Sequence, residues 1–145
     1  MTSTKPTKRR YRGTVASFRV RKDSGMDLRI AERPRDARTR VIEPQGEIDL
    51  ATAPNLKAAL DAAIDEGARY VLVDFADVAF LDSTGIGVLL SAERRLRPCD
   101  GKLIVVCDDP LIRRVFELSG LTDVLNIRPS RRAALSAAGE FARPS

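Results

Sequence analysis

The chain contains no histidine. That removes the commonest general base and the commonest transition-metal ligand together. A Ser-His-Asp hydrolase is excluded, and an ordinary zinc or iron enzyme is not expected. There are only two cysteines, Cys99 and Cys107, eight positions apart. This spacing fits neither a CxxC redox pair nor half of a zinc site. They read as reduced thiols of a cytosolic protein, with Cys107 buried at a strand end. No run of eighteen apolar residues occurs, so no membrane-spanning helix is expected. The basic N-terminus is not followed by an apolar stretch, so no secretory signal is expected and the expected location is the cytoplasm. Phosphate loops are missing as well. There is no GxxxxGK[ST], and Gly85-Ile86-Gly87 does not continue to a third glycine at the dinucleotide spacing. The nucleophile elbow GxSxG is also absent. Carboxylates occur near Asp49 and Asp82, but no spacing marks them as an acid-base pair. The chain therefore reads as a protein that is not an enzyme and that carries no cofactor and no metal.

What is present suits one globular domain: 145 residues, of which 43% are hydrophobic and 31% charged. The net charge of +5 is unevenly spread. Residues 1–22 hold Lys5, Lys8, Arg9, Arg10, Arg12, Arg19, Arg21 and Lys22 and no acid. Taking that +8 from +5 leaves −3 for residues 23–145. Residues 1–25 accordingly read as a basic, disordered arm, 26–140 as the folded domain and 141–145 as a tail. The arm has chemistry for nucleic acid or an acidic surface through phosphate contacts. Nothing in it reads bases, so it reads rather as a solvated tail or as sequence upstream of a start at Met26.

Order begins at Asp27. Leu28-Arg29-Ile30-Ala31 alternates like a half-buried strand. After a turn at Pro34-Arg35-Asp36-Ala37, Arg40-Val41-Ile42-Glu43 starts a second strand, antiparallel to the first, that runs into Gly46-Glu47-Ile48-Asp49. A helix follows, with Thr52 as N-cap, Pro54 in the first turn and Gly67 as C-terminal cap. Its apolar stripe is Leu56, Ala59, Leu60, Ala63 and Ile64. Tyr70 to Phe75 and Lys102 to Cys107 are apolar, β-forming runs that suggest strands covered on both faces. Between them a helix is predicted from about Thr84 to Arg97. Asp108 or Asp109 caps a third helix, with Pro110 first, Ile112, Val115 and Phe116 inward, and Gly120 with Leu121 closing its end. Val124 to Ile127 reads as a short last strand. Ser130 caps an Ala-rich helix carrying Ala134, Leu135 and Ala138. The order β-β-α-β-α-β-α-β-α calls for an α/β fold: a mixed, mostly parallel sheet of about five strands with four or more helices.

One stretch stands apart. Phe80-Leu81-Asp82-Ser83-Thr84-Gly85-Ile86-Gly87-Val88-Leu89-Leu90 passes from apolar strand or loop through a polar turn into an apolar helix. Asp-Ser-Thr before a helix is ordinary capping chemistry, with Ser83 at or beside the N-cap. The two glycines fit that reading less well, because glycine inside a helix costs roughly 1 kcal/mol. Gly85 and Gly87 leave the ridge beside Ser83 bare for another protein to approach.

Residues 80–90 resemble the signature of the STAS family of bacterial anti-sigma factor antagonists. Three further blocks resemble the family in the same order: Gly46-Glu47-Ile48-Asp49, Pro110 to Phe116, and Leu118-Ser119-Gly120-Leu121. The resemblance spans about 27–140 and implies a STAS domain. It also implies that an anti-sigma factor, itself a serine kinase, phosphorylates Ser83. The unphosphorylated chain binds that partner and frees the sigma factor, and a phosphoserine phosphatase restores the active form. Asp49 corresponds to the acidic residue near the phosphoserine and Asp82 to the motif aspartate. Thr84 stands where some members have serine. Asp49, Asp82, Thr84, Gly85, Ile86 and Gly87 are thus the expected partner-binding surface, and Ser83 the switch. The basic arm departs from compact family members. The alternatives are a STAS scaffold or transport-complex subunit without phosphorylation, a weak nucleotide binder, and a nucleic-acid binder acting through residues 1–22.

Overall fold

A computed structural model describes residues 28–142. The expected arm, residues 1–25, lies outside the described residues, as do residues 143–145 of the expected tail. The elements run β1 (Leu28–Pro34), β2 (Thr39–Ile48), α1 (Ala53–Asp65), β3 (Tyr70–Asp74), β4 (Asp77–Leu81), α2 (Ser83–Leu96), β5 (Lys102–Val106), α3 (Pro110–Leu118), β6 (Ile127–Arg128) and α4 (Arg131–Ala142).

β1 and β2 pair antiparallel, Leu28 opposite Gly46 and Pro34 opposite Arg40. The turn between them is set by Asp36, whose carboxylate accepts the N–H groups of Arg38 at 2.8 Å and Thr39 at 2.9 Å. Every other pairing is parallel, in the order β1-β2-β3-β5-β6. β4 is the strand that sequence reading left undecided between strand and loop. It continues the lane of β3 beyond a break at Phe75 and Ala76, and pairs with the second half of β2. β2 therefore changes partner midway: Thr39 to Ile42 pair with β3, and Gln45 to Ile48 with β4. Pro44, which has no N–H to give a ladder, stands in the gap between those two pairings.

β3 is buried along its whole length, as its apolar run requires. One sheet face carries Leu28, Ile30, Ile42, Ile48, Val71, Val73, Leu103 and Val105. It is covered by the stripes of α1, α2 and α3. Leu56 and Leu60 of α1 are fully buried there, each worth about 1.5–3 kcal/mol. Phe75 and Phe116 meet in the same layer with ring centroids 5.9 Å apart. The opposite face carries Val41, Tyr70, Leu72, Ile104 and Val106, packed against Ala134, Ala137 and Ala138 of α4.

Gly67 and Gly120 end α1 and α3 with φ of +103° and +71°. In both helices the next residue closes a wide-ring bond: Ala68 N–H to Ala63 C=O at 3.1 Å, and Leu121 N–H to Phe116 C=O at 3.2 Å. Two local expectations are refined and one is corrected. Thr52 is the N-cap residue of α1 as expected, but its hydroxyl caps no helix N–H; it donates to the Glu47 carbonyl at 2.7 Å. α2 ends at Leu96 and tightens into a 3-10 turn over Arg97–Cys99. The strand expected at 124–127 begins only at Ile127, because residues 122–126 are held in turns, with Leu125 N–H bonded to Leu121 C=O at 3.0 Å and Asn126 at φ +52°. Leu125 is nevertheless fully buried.

Candidate functional site

The site is made where β2 and β4 end side by side. Ile48 pairs with Leu81, and the Asp82 N–H donates to the Ile48 carbonyl at 3.2 Å. This brings the turn after β2, which carries Asp49, next to the turn that starts α2.

Asp49 is spent on its own turn. Its carboxylate accepts the N–H groups of Ala51 at 2.9 Å and Thr52 at 3.0 Å, and its own N–H donates to the Thr52 hydroxyl at 3.0 Å. Asp82 is the N-cap of α2. One carboxylate oxygen accepts Thr84 N–H at 2.9 Å and Gly85 N–H at 3.4 Å, and also takes the Thr84 hydroxyl in a short bond. Capping thus falls to Asp82, and Ser83 is the first helical residue. Ser83 is exposed, and among the described residues none hydrogen-bonds its hydroxyl.

The glycines divide in the same way. A Cβ on Gly85 would lie 2.5 Å from Leu81 Cδ1 and 2.6 Å from Ile48 Cγ2. Gly85 is therefore what lets α2 start so close to the ends of β2 and β4. It is buried, as is Ile86, so neither belongs to an open surface as expected from the sequence. A Cβ on Gly87 would meet nothing within 4 Å, and Gly87 is exposed. Ser83 and Gly87 lie one turn apart on the outer side of α2 and form a bare strip.

Two exposed apolar residues at this end of the sheet were missed in the sequence. Leu50, next to Asp49, is 75% exposed, and Phe80, three residues before Ser83, is 46% exposed. Their signal was available: Leu50 is a large apolar residue in a polar turn, and Phe80 lies between Val78 and Leu81, both of which face the core.

A second feature is a crevice of about 570 Å³ at the carboxyl ends of β3 and β5, lined by Arg33, Asp74, Asp108, Ser130 and Arg131 among others. Its buried charges are paired. The Arg131 guanidinium binds the buried Asp74 carboxylate at 2.6 and 3.1 Å and also pairs with buried Glu43, tying α4 to β2 and β3. Cys107 borders the crevice, and burial pushes its thiol up to about 11, far from a thiolate nucleophile at neutral pH. Among the described residues, no cluster of His, Cys, Asp and Glu could hold a metal ion, and no helix is long and apolar enough to cross a membrane.

These features define a small α/β domain that presents an unbonded serine and an apolar rim at one end of a sheet. The chain belongs to the STAS domain family, whose model matches residues 29–134. The chain is 33% identical over 103 residues to the anti-sigma-B factor antagonist of Listeria monocytogenes, covering 71% of this chain and 90% of that one. It superposes on an anti-sigma factor antagonist from Mycobacterium paratuberculosis with a TM-score of 0.70, at 30% identity over 77% of this chain and 94% of the other. It also superposes on the anti-sigma factor antagonist SpoIIAA in its unphosphorylated form with a TM-score of 0.68, at 25% identity over 79% and 99%.

Proposed function

We propose that this protein is an anti-sigma factor antagonist switched at Ser83. With Ser83 unmodified it binds an anti-sigma factor of the serine-kinase type and so releases a sigma factor for transcription. Phosphorylation of Ser83 by that kinase ends the binding, and a phosphoserine phosphatase reverses it. The reading places the protein in the cytoplasm and requires no cofactor of its own. The observation that carries it is the exposed, unbonded Ser83 hydroxyl at the start of α2, one turn from the bare Gly87 and at the sheet end that also exposes Leu50 and Phe80. Relatives that are themselves anti-sigma factor antagonists support the role.

The physics suits a change of affinity rather than of fold. A phosphate adds about −1.5 to −2 charges at one point. The Thr84 and Gly85 N–H groups of the helix start are already taken by Asp82, so the phosphate has no need to rearrange the cap. A partner packed over Ser83 and Gly87 would meet both bulk and charge. The test is phosphorylation by the cognate anti-sigma kinase with ATP, followed by intact-mass measurement. The wild type should gain one phosphate and Ser83→Ala none. An equal gain in both proteins sinks the assignment.

A further inference from the structure

The sheet face under α4 is apolar along Val41, Leu72, Ile104 and Val106. At the amino ends of β2 and β3, opposite the end that carries Ser83, that pattern changes. Thr39, two residues before Val41, and Tyr70, two before Leu72, face the same side. They are paired across the ladder, and each is only 6% exposed. Both bring a hydroxyl that no described residue hydrogen-bonds. A buried hydroxyl without a partner is costly, and valine and leucine fill the same layer one step further along. Neither oxygen is sealed inside the protein. Both residues line a groove of about 490 Å³ between the β1–β2 turn and the second half of α4.

The walls of the groove restrict what can enter it. One wall is low and apolar: it is formed by Leu135, Ala138 and Gly139 of α4, and a Cβ on Gly139 would meet nothing within 4 Å. The rim is the turn, which supplies Arg35 and Arg38. Both are exposed, and neither guanidinium has an ion pair among the described residues, unlike Arg40, which is held by Glu32 and Glu66. Asp36 is the one acid of the lining, and its carboxylate already accepts two N–H groups of its own turn. Two arginines and one aspartate leave a single positive charge. The lining from the later turns of α4 brings the negative end of that helix near, which weighs against a doubly charged ligand.

We propose that this groove binds a small organic acid with one carboxylate and an apolar body. Arg35 and Arg38 donate charge-assisted hydrogen bonds to the carboxylate. The Thr39 and Tyr70 hydroxyls donate to its oxygens and gain the partners they lack. The body lies on Leu135, Ala138 and Gly139. The volume is within the range of small-molecule pockets, about 300–1,000 Å³. The site stands at the sheet end opposite Ser83, so its occupancy is read independently of the phosphorylation switch.

Titration of the isotope-labelled full chain with benzoate, phenylacetate and octanoate, followed by NMR, tests the assignment. At least one acid should saturate with a Kd of about 1 mM or tighter, a range suited to about ten heavy atoms. The amides of Arg38, Thr39, Tyr70 and Gly139 should shift, and those of Ser83 and Gly87 should stay in place. The Arg35→Gln/Arg38→Gln protein should bind about tenfold more weakly or worse. Thr39→Val and Tyr70→Phe should each weaken binding about three- to tenfold, while Tm holds or rises, because the hydroxyls removed have no partner in the free protein. No saturable shift from any of the three acids overturns the proposal. So does equal affinity in the double-arginine variant, or unchanged binding by both Thr39→Val and Tyr70→Phe. Equal affinity for benzamide, which has the body without the charge, overturns it as well, and so does equal affinity for acetate, which has the charge without the body.

Discussion

Gly85 and Gly87 are two residues apart on one helix, and alanine should act on them in opposite directions. At Gly85 the added methyl would lie 2.5 Å from Leu81 Cδ1 and 2.6 Å from Ile48 Cγ2, well inside contact distance. Leu81 can turn its terminal methyl aside. Ile48 cannot, because it is branched at Cβ and fully buried. Two contacts this short put the cost in the upper part of the overpacking range, about 2–3 kcal/mol, and the better helix propensity of alanine offsets about 1 kcal/mol of it. Gly85→Ala should therefore destabilise by about 1–2 kcal/mol, a fall in Tm of roughly 4–8 °C for a chain of this size. At Gly87 there is nothing to strike. Gly87→Ala should stabilise by about 0.5–1 kcal/mol and raise Tm by roughly 2–4 °C. Binding should run the other way for Gly87: a methyl on the bare strip should weaken the anti-sigma factor by about tenfold, equivalent to about 1.4 kcal/mol. Thermal melts and titration calorimetry on the same samples measure both. If Gly85→Ala melts at or above wild type, close approach is not what requires glycine there. If Gly87→Ala binds as tightly as wild type, the partner does not use the strip.

Three further outcomes are expected. Asp82→Ala should cost about 1 kcal/mol through the lost cap, whereas Ser83→Ala should leave Tm nearly unchanged; a larger loss from Ser83→Ala would return the cap to the serine. Arg131→Met should lower stability by about 2 kcal/mol or more, because it takes the guanidinium from the buried carboxylates of Asp74 and Glu43; an unchanged urea midpoint would refute that anchoring role. Iodoacetamide at pH 8 should modify exposed Cys99 quickly and leave Cys107, raised to about 11 by burial, intact until the protein unfolds. Rapid modification of both thiols in the folded protein would contradict that burial.

The layers of this fold were legible because most elements carry two agreeing signals. α1 has an apolar stripe and a glycine stop, and β3 has an uninterrupted apolar run. α3 has a capping aspartate, a following proline and a Gly-Leu end. What escaped was decided by the meeting of distant segments. β4 has a core face of only Val78 and Leu81, and it is a strand because β2 runs on past β3 and needs a partner. Residues 124–126 look β-forming, but the tight end of α3 holds them in turns. At the site, the sequence located Ser83 and the acidic turn of Asp49. It did not say which of Asp82 and Ser83 would cap α2, since either side chain can do so. Nor could it tell that Gly85 faces inward and Gly87 outward, because glycine carries no hydropathy to reveal its side of a helix.

The change of partner along β2 bears on how the molecule breathes. Its two parallel ladders, to β3 and to β4, are in series and separated at Glu43 and Pro44. Opening one does not require opening the other. The β4 ladder and the start of α2 can then exchange their amide hydrogens as a sub-global unit, while the β3-β5 centre under α4 stays protected up to the global free energy. The proposed docking end would be the softer half of the domain, and a bound partner would register there as slowed hydrogen exchange without any visible change in the rest.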